Sequence, residues 1–158
     1  MTDPIRPTDD EARALARRLL QEETTAALAV LRGGAPFVTR IALGLAPEGG
    51  PISLVSDLAA HTQALRADPV CSLLVGTPGE RGDPLTHPRL TLQAGAEFVG
   101  RDDPGREALA AHYLRGHPKA KLYIGFADFH FVRFRITGAF LNGGFGRAFN
   151  LTPADLSL

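Results

Sequence analysis

The stretch AALAVLRGGAPFVTRIALGL, residues 26–45, holds two apolar runs separated by Gly33-Gly34. Paired glycines between strand-forming runs supply the positive φ angles of a tight hairpin turn, so the runs read as antiparallel strands, Ala26 to Leu31 and Pro36 to Leu45. Side chains alternate along a strand. In the second run Phe37, Thr39, Ile41, Leu43 and Leu45 therefore share one face, and Val38, Arg40, Ala42 and Gly44 the other. Beyond the hairpin, Pro47 to Pro51 is a second turn with two Gly and two Pro, and Ile52 to Ser56 is a third strand running into a helical stretch, Leu58 to Ala67, stopped by Pro69. Val70 to Val75 is a fourth strand, and Gly76 to Pro88 a long polar loop. Arg89 to Val99 alternates, with Gly95 marking a bend or bulge. Phe129 to Ile136 alternates again and Ala139 to Leu141 continues it, which predicts a last hairpin around Thr137-Gly138.

Three helical stretches accompany these strands. Thr8-Asp9-Asp10-Glu11 fits a capping box, with Thr8 as cap, and Ala12, Leu15, Ala16, Leu19 and Leu20 then recur at helical spacing. Asp102-Asp103-Pro104 opens a helix to Tyr113, and Lys119 to Phe126 reads as one short helix, while Asn142 to Leu158 is Gly-rich and irregular. Short strands joined mostly by tight turns favour a mostly β, α+β domain: an antiparallel barrel with accessory helices.

A chain of 158 residues is the size of one domain, and 44% hydrophobic with 22% charged residues is the composition of an ordinary globular protein. Seventeen basic against seventeen acidic side chains leave no global field for nucleic acid or anionic lipid, and no apolar run reaches the length of a membrane span. Neither partner is expected. One cysteine, Cys71, permits no internal disulfide, and the amino terminus lacks a secretory pattern, so the expected compartment is the cytoplasm. Five dispersed histidines show no metal-binding spacing, and no nucleophile elbow is present. No metal is expected and no catalytic residue can be named.

The chemistry-bearing segment is Ser56-Asp57-Leu58-Ala59-Ala60-His61-Thr62. A strand entering a helix here exposes amides, which together with hydroxyls and a histidine suit a phosphate, or else Ser56 or Asp57 simply caps the helix. Arg40 interrupts an apolar strand, either to pair with an anion or to face solvent. Arg89, Thr91 and Gln93 share a face that lines a pocket or forms the wet side of a sheet. Gly143-Gly144-Phe145-Gly146 leaves too little chain for a dinucleotide fold and reads as a tail lying close against a ring or a partner chain.

Taken in order, Thr39-Arg40, the Leu54 to Thr62 turn, Asp68-Pro69 with Ser72 to Val75, and Arg89 to Leu92 resemble the FMN-binding split-barrel superfamily, whose best-known member is pyridoxamine 5'-phosphate oxidase. His117-Pro118, Tyr123, Phe126 to Phe129 and Gly143 to Ala148 are most similar to its HugZ-type haem-utilisation proteins. The likeness spans about Thr8 to Leu156, a single domain after an expected flexible tail of residues 1–7. It implies a six-stranded antiparallel split barrel, a homodimer with the cofactor groove between subunits, and a cofactor site at Thr39, Arg40, Ser56, His61, Thr62 and Arg89. Arg40 would pair with the flavin phosphate, Thr39 would lie along the same groove, Ser56 near the ring or ribityl chain, and Arg89 at the ring edge. His61 and Thr62 occupy positions where the oxidases carry a basic pair, and the oxidase's carboxy-terminal Trp and Arg-x-His pattern has no counterpart. The resemblance implies an FMN-dependent oxidoreductase acting on a small-molecule substrate, though not on pyridoxamine phosphate, or a non-catalytic flavin- or haem-binding protein.

Overall fold

The computed structural model describes residues 3–158. In chain order the elements are β1 (Ile5–Arg6), α1 (Asp10–Glu22), β2 (Thr25–Arg32), β3 (Ala35–Ala42), β4 (Gly44–Leu45), β5 (Pro51–Ser56), α2 (Ala60–Ala67), β6 (Val70–Val75), β7 (Arg89–Phe98), α3 (Arg106–Gly116), β8 (Phe129–Asn142) and β9 (Ala148–Leu151). The nine strands form one sheet ordered β1-β9-β8-β7-β6-β2-β3, with β5 on β8 and β4 on β5.

The six long strands wrap in the order β5-β8-β7-β6-β2-β3, every neighbouring pair antiparallel. The two end strands, β3 and β5, share no ladder. Where they approach, the Ser53 hydroxyl donates to the Ala42 carbonyl at 2.6 Å, and Ser53 is fully buried. A buried hydroxyl aimed at a carbonyl across the gap satisfies both groups without closing the sheet. This is a split barrel. The gap persists because β8 is longer than its partners: β7 runs along one edge, and the other edge is divided between β5, opposite Phe129 to Arg133, and β9, opposite Ala139 to Asn142.

Inward-facing residues such as Leu28, Leu73, Leu92 and Leu141 fill the barrel, and α1 lays Ala12, Ala16, Leu19 and Leu20 over this core. A second core lies on the other face of β5 and β8, where Ile52, Leu54 and Phe131 meet Leu109 and Tyr113 of α3. Gly33 and Gly34, with φ of 58° and 80°, make the expected β2–β3 turn. No helix among the described residues is long and apolar enough to cross a membrane.

Several local expectations shift. Asp9, not Thr8, caps α1 by accepting the Ala12 N–H at 2.8 Å, while the Thr8 hydroxyl is drawn across to the Asn150 carbonyl at 2.6 Å. The expected hairpin at Thr137-Gly138 is instead a bulge within the continuous β8, since the register against β7 slips between Gln93 and Ala94. The irregularity lies there and not at Gly95, which pairs regularly with Arg135. The strand expected to reach Leu45 breaks after Ala42, and the Lys119 to Phe126 segment is a 3-10 turn at Pro118–Leu122. The carboxy-terminal segment is not irregular: β9 returns along β8 through the Gly143 to Arg147 turn. Gly144 is needed there because its φ is 119° and a Cβ would sit 2.9 Å from the Thr86 carbonyl oxygen, so the glycine run packs against the chain's own loop. Within the expected tail, Ile5 and Arg6 pair in parallel with Ala148 and Phe149, and residues 1–2 lie outside the described residues.

Two positions invite direct tests. A Cβ on Gly44 would lie 2.7 Å from the Tyr113 ring, so Gly44→Ala should lower stability by about 1–3 kcal/mol through overpacking, read as a lower denaturation midpoint. Asp155 accepts the Thr152 N–H at 2.8 Å and Arg13 Nε at 2.7 Å, which hold its carboxyl at about 2, the backbone hydrogen bond contributing most. A depressed folded-state pKa contributes stability that is complete above the ordinary carboxylate range and lost as pH falls towards 2. Asp155→Asn should therefore melt lower than the native chain near neutral pH, and the two curves should converge in strong acid.

Candidate functional site

The strand-to-helix junction after β5 is bound to the start of β8 rather than left open. Ser56 Oγ accepts the Leu58 N–H at 3.2 Å and donates to Asp128 Oδ2 at 3.0 Å. The Asp57 carboxylate faces His130 Nε2 at 2.8 Å and Arg66 Nη2 at 3.1 Å, and these contacts, His130 first, hold its pKa below the ordinary value. Arg66 also stacks on Phe98, 4.0 Å from the ring centroid. With both side chains engaged sideways, neither Ser56 nor Asp57 caps α2: the cap residue is Ala59, which offers no side-chain hydrogen bond.

Thr39, on β3, meets His61, in the first turn of α2, through Thr39 Oγ1 and His61 Nδ1 at 2.9 Å. Burial pushes the His61 pKa down, so the imidazole is neutral at pH 7. Thr62 is fully buried and its hydroxyl has no hydrogen-bond partner. The two positions expected to face a phosphate thus carry a neutral ring already bonded to Thr39 and a hydroxyl enclosed in the core.

Arg40 points to the opposite face of β3 from Thr39, as strand alternation requires. It is exposed, and among the described residues no carboxylate pairs with it. Two grooves meet at Arg40 and Thr25. One, of about 630 Å³, is walled by Ala27, Val38, Thr39, Leu74 and the Gly76 to Pro78 end of the long loop. The other, of about 520 Å³, is walled by Ile41, Ala42, His117, Pro118, Lys119 and Tyr123. His117 is held there by donating from Nε2 to the Leu43 carbonyl at 2.7 Å and by stacking on Tyr113 at 4.5 Å, a phenol whose pKa burial raises. Arg89 lies elsewhere, donating to the carbonyls of Leu85 and His87 at 2.9 and 3.2 Å.

The six expected site residues separate only in part. Thr39 and Arg40 line the same groove, and Thr39 also contacts His61, whereas Ser56 belongs to the Asp128 cluster, Thr62 is in the core and Arg89 braces a loop. Lys119 was not anticipated as a groove residue. Its signal was the scarcity of lysine, only Lys119 and Lys121 among seventeen basic residues, placed directly after the His117-Pro118 turn. Burial pushes the Cys71 thiol up to about 11, so it is not a nucleophile at neutral pH.

The grooves open on the outer face of the sheet. Across it Arg40 stands opposite Ala27, Ala27 opposite Leu74, Leu74 opposite Thr91 and Thr91 opposite Phe140. Val38 is 62% exposed, Val70 60% and Leu74 45%, an apolar face of the kind that marks an interaction surface.

Residues 7–156 match the family described as CREG, beta-barrel. The chain belongs to that family. It is 38% identical over 100 residues to the chloroplastic "Non-canonical heme oxygenase HOZ" of Arabidopsis thaliana, a match covering 63% of this chain and 29% of that protein. The heme binding protein from Mycobacterium smegmatis superimposes with a TM-score of 0.83 at 30% identity, over 97% of this chain and 61% of that one. HutZ, the heme storage protein of Vibrio cholerae, gives 0.73 at 25% identity, over 84% and 96%. This CREG-family chain thus spans less than two thirds of the plant and mycobacterial proteins. A protein of Listeria innocua described as a pyridoxamine 5'-phosphate oxidase and a general stress protein 26-related protein of Clostridium acetobutylicum, described as of the pyridoxinephosphate oxidase family, share the fold at 10% identity, a likeness of fold alone.

Because the Thr62 hydroxyl is buried and unpaired, Thr62→Val should leave stability unchanged or raise it by about 1 kcal/mol, measured by denaturant unfolding. A lower denaturation midpoint in that variant would show instead that the hydroxyl has a partner.

Proposed function

We propose that this chain is a haem-binding protein of the haem-utilisation type, cytoplasmic and homodimeric, with the macrocycle held beside Arg40 where two copies meet. The observation that carries this reading is an exposed guanidinium without a carboxylate partner at the junction of two apolar-walled grooves. Haem presents a flat apolar ring and two carboxylates. Val38, Leu74 and Pro118 suit the ring, and Arg40 with Lys119 across the second groove supplies cations for the carboxylates. The relatives of 25 to 38% identity described above are named for haem, which supports the same ligand. Bound haem supplies an iron centre for oxygen chemistry. This chain's part is to hold the carboxylates, cover the ring and limit access of water. The exposed face of β3, β2 and β6 is the surface proposed for the second copy, which would turn the open groove into a cleft.

A flavin is the second reading, favoured by the uncapped start of α2, whose first turn carries no acidic residue. The side chains there do not fit a dianionic phosphate: His61 is neutral, Thr62 is enclosed, and Arg40 lies on the other face of β3.

Titration of the purified protein with hemin should produce a Soret band that saturates, and Arg40→Ala should weaken binding by about tenfold or more, the value of a charge-assisted contact. Val38→Asp should shift the molecule to a monomer in light scattering. A protein that purifies yellow, binds FMN and shows no saturable Soret change would overturn the haem reading.

A further inference from the structure

The loop between β6 and β7, residues 76–88, contributes one wall of the Arg40 groove through Gly76, Thr77 and Pro78. Its base is fixed. Thr77 Oγ1 donates to Glu23 Oε2 of α1 at 2.8 Å, Arg89 donates to the Leu85 and His87 carbonyls, and a Cβ on Gly76 would sit 2.7 Å from the Pro88 carbonyl oxygen. Further along, Asp83 Oδ1 accepts the Leu85 N–H at 2.9 Å and the Thr86 hydroxyl donates to the Asp83 carbonyl at 2.7 Å, while the Gly79 to Arg81 tip is held by the His87 ring. His87 Nδ1 accepts the Gly79 N–H at 2.7 Å, and His87 Nε2 lies 2.7 Å from the Arg81 carbonyl oxygen.

Those two partners dictate the state of the ring. A backbone N–H can only be met by a lone pair, and a carbonyl oxygen only by a proton, so the imidazole is neutral with its hydrogen on Nε2. An imidazolium carries hydrogens on both nitrogens. Protonation therefore removes the bond to Gly79 and sets two N–H groups against each other at the same point. The ring stands over a crevice of about 580 Å³ between the loop and α1, faced by Arg18, Glu22 and Glu23 from the helix and by Glu80 and Arg81 from the loop itself. With both signs present around it, the tautomer-specific bond is the element that discriminates between the two ring states.

We propose that His87 is a proton-operated latch on the loop that walls the Arg40 groove. In its neutral form it pins Gly79 and Arg81, and with them the adjoining Pro78. Taking up a proton at Nδ1 releases the tip and loosens that wall, while the Thr77 and Arg89 anchors keep the base in place. The effect on a ligand rests on the haem reading above, whereas the latch itself does not.

The two are separable by experiment. In NMR hydrogen exchange on the ligand-free protein, Gly79 protection, corrected for the intrinsic rate, should fall by up to about tenfold between about pH 8 and about pH 5.5. His87→Gln, which can accept from Gly79 and donate to Arg81 without titrating, should remove that pH dependence, and His87→Ala should abolish protection at both pH values. Unchanged native protection across this range, or an equal fall in the Gln variant, overturns the latch. Hemin titrations at the same two pH values test the coupling: affinity should drop on acidification several-fold more in the native chain than in His87→Gln. If Gly79 is released but hemin affinity falls equally in both, the loop does not govern the groove. If hemin binds at neither pH, the haem reading fails while the exchange result still decides the latch.

Discussion

The architecture depends on one strand being longer than anything that pairs with it. β8 carries fourteen residues, and its outer edge is shared between β5 at one end and β9 at the other. A six-stranded barrel closed by hydrogen bonds would need β5 to turn its free edge fully onto β3. Instead the contact narrows to a buried hydroxyl on a carbonyl, Ser53 to Ala42, and the chain between them is spent on the short β4 and its turn. Gly44 in that segment leaves room for the Tyr113 ring, so the same opening that splits the barrel admits α3 and creates the second core. The Arg40 groove borders this region because β3, the strand left without a second ladder, ends there.

Much of the architecture was legible in local chemistry. Gly33-Gly34 specified a hairpin because their positive φ angles are the turn's own requirement, and the alternation of Arg89 to Phe98 specified β7 because one face meets the core. Legibility failed where a long-range contact outcompeted a local one. Thr8 has the sequence environment of a cap, but a carbonyl on β9 claims its hydroxyl. Thr137-Gly138 has the composition of a turn, yet β7 pairs with β8 on both sides of it, and an extra residue is absorbed as a bulge. The Gly143 to Gly146 run looked like a tail because its partner, the long loop, is more than fifty residues away in sequence.

The site divided for a similar reason. The resemblance implies one site for Thr39, Arg40, His61 and Thr62, yet neighbouring side chains on a strand face opposite ways. The Thr39 side chain turns to α2 and the Arg40 side chain to the outer groove, which both residues line. On α2 consecutive side chains diverge by about 100° around the axis, so Thr62 points into the core while half-buried His61 reaches the strand. Composition could not show that Ser56 and Asp57 are tied to Asp128 and His130, seventy residues later. Once those ties exist, the segment joining β5 to α2 is a rigid corner, and the free charge is left to Arg40 on the other side of the sheet.

Ile5 and Arg6 lie alongside Ala148 and Phe149, and Arg13 and Arg17 of α1 both bind Asp155. The first and last segments are therefore neighbours in space, fastened to one another and to the same side of the barrel. A short designed linker joining them, with new ends opened in the exposed Glu48-Gly49 turn, would preserve every ladder in the sheet except the two-residue β4 pairing beside the cut. Segments attached before Ile5 or after Leu156 would leave from one pole, and the Arg40 groove would stay uncovered only as far as their paths from that pole allow.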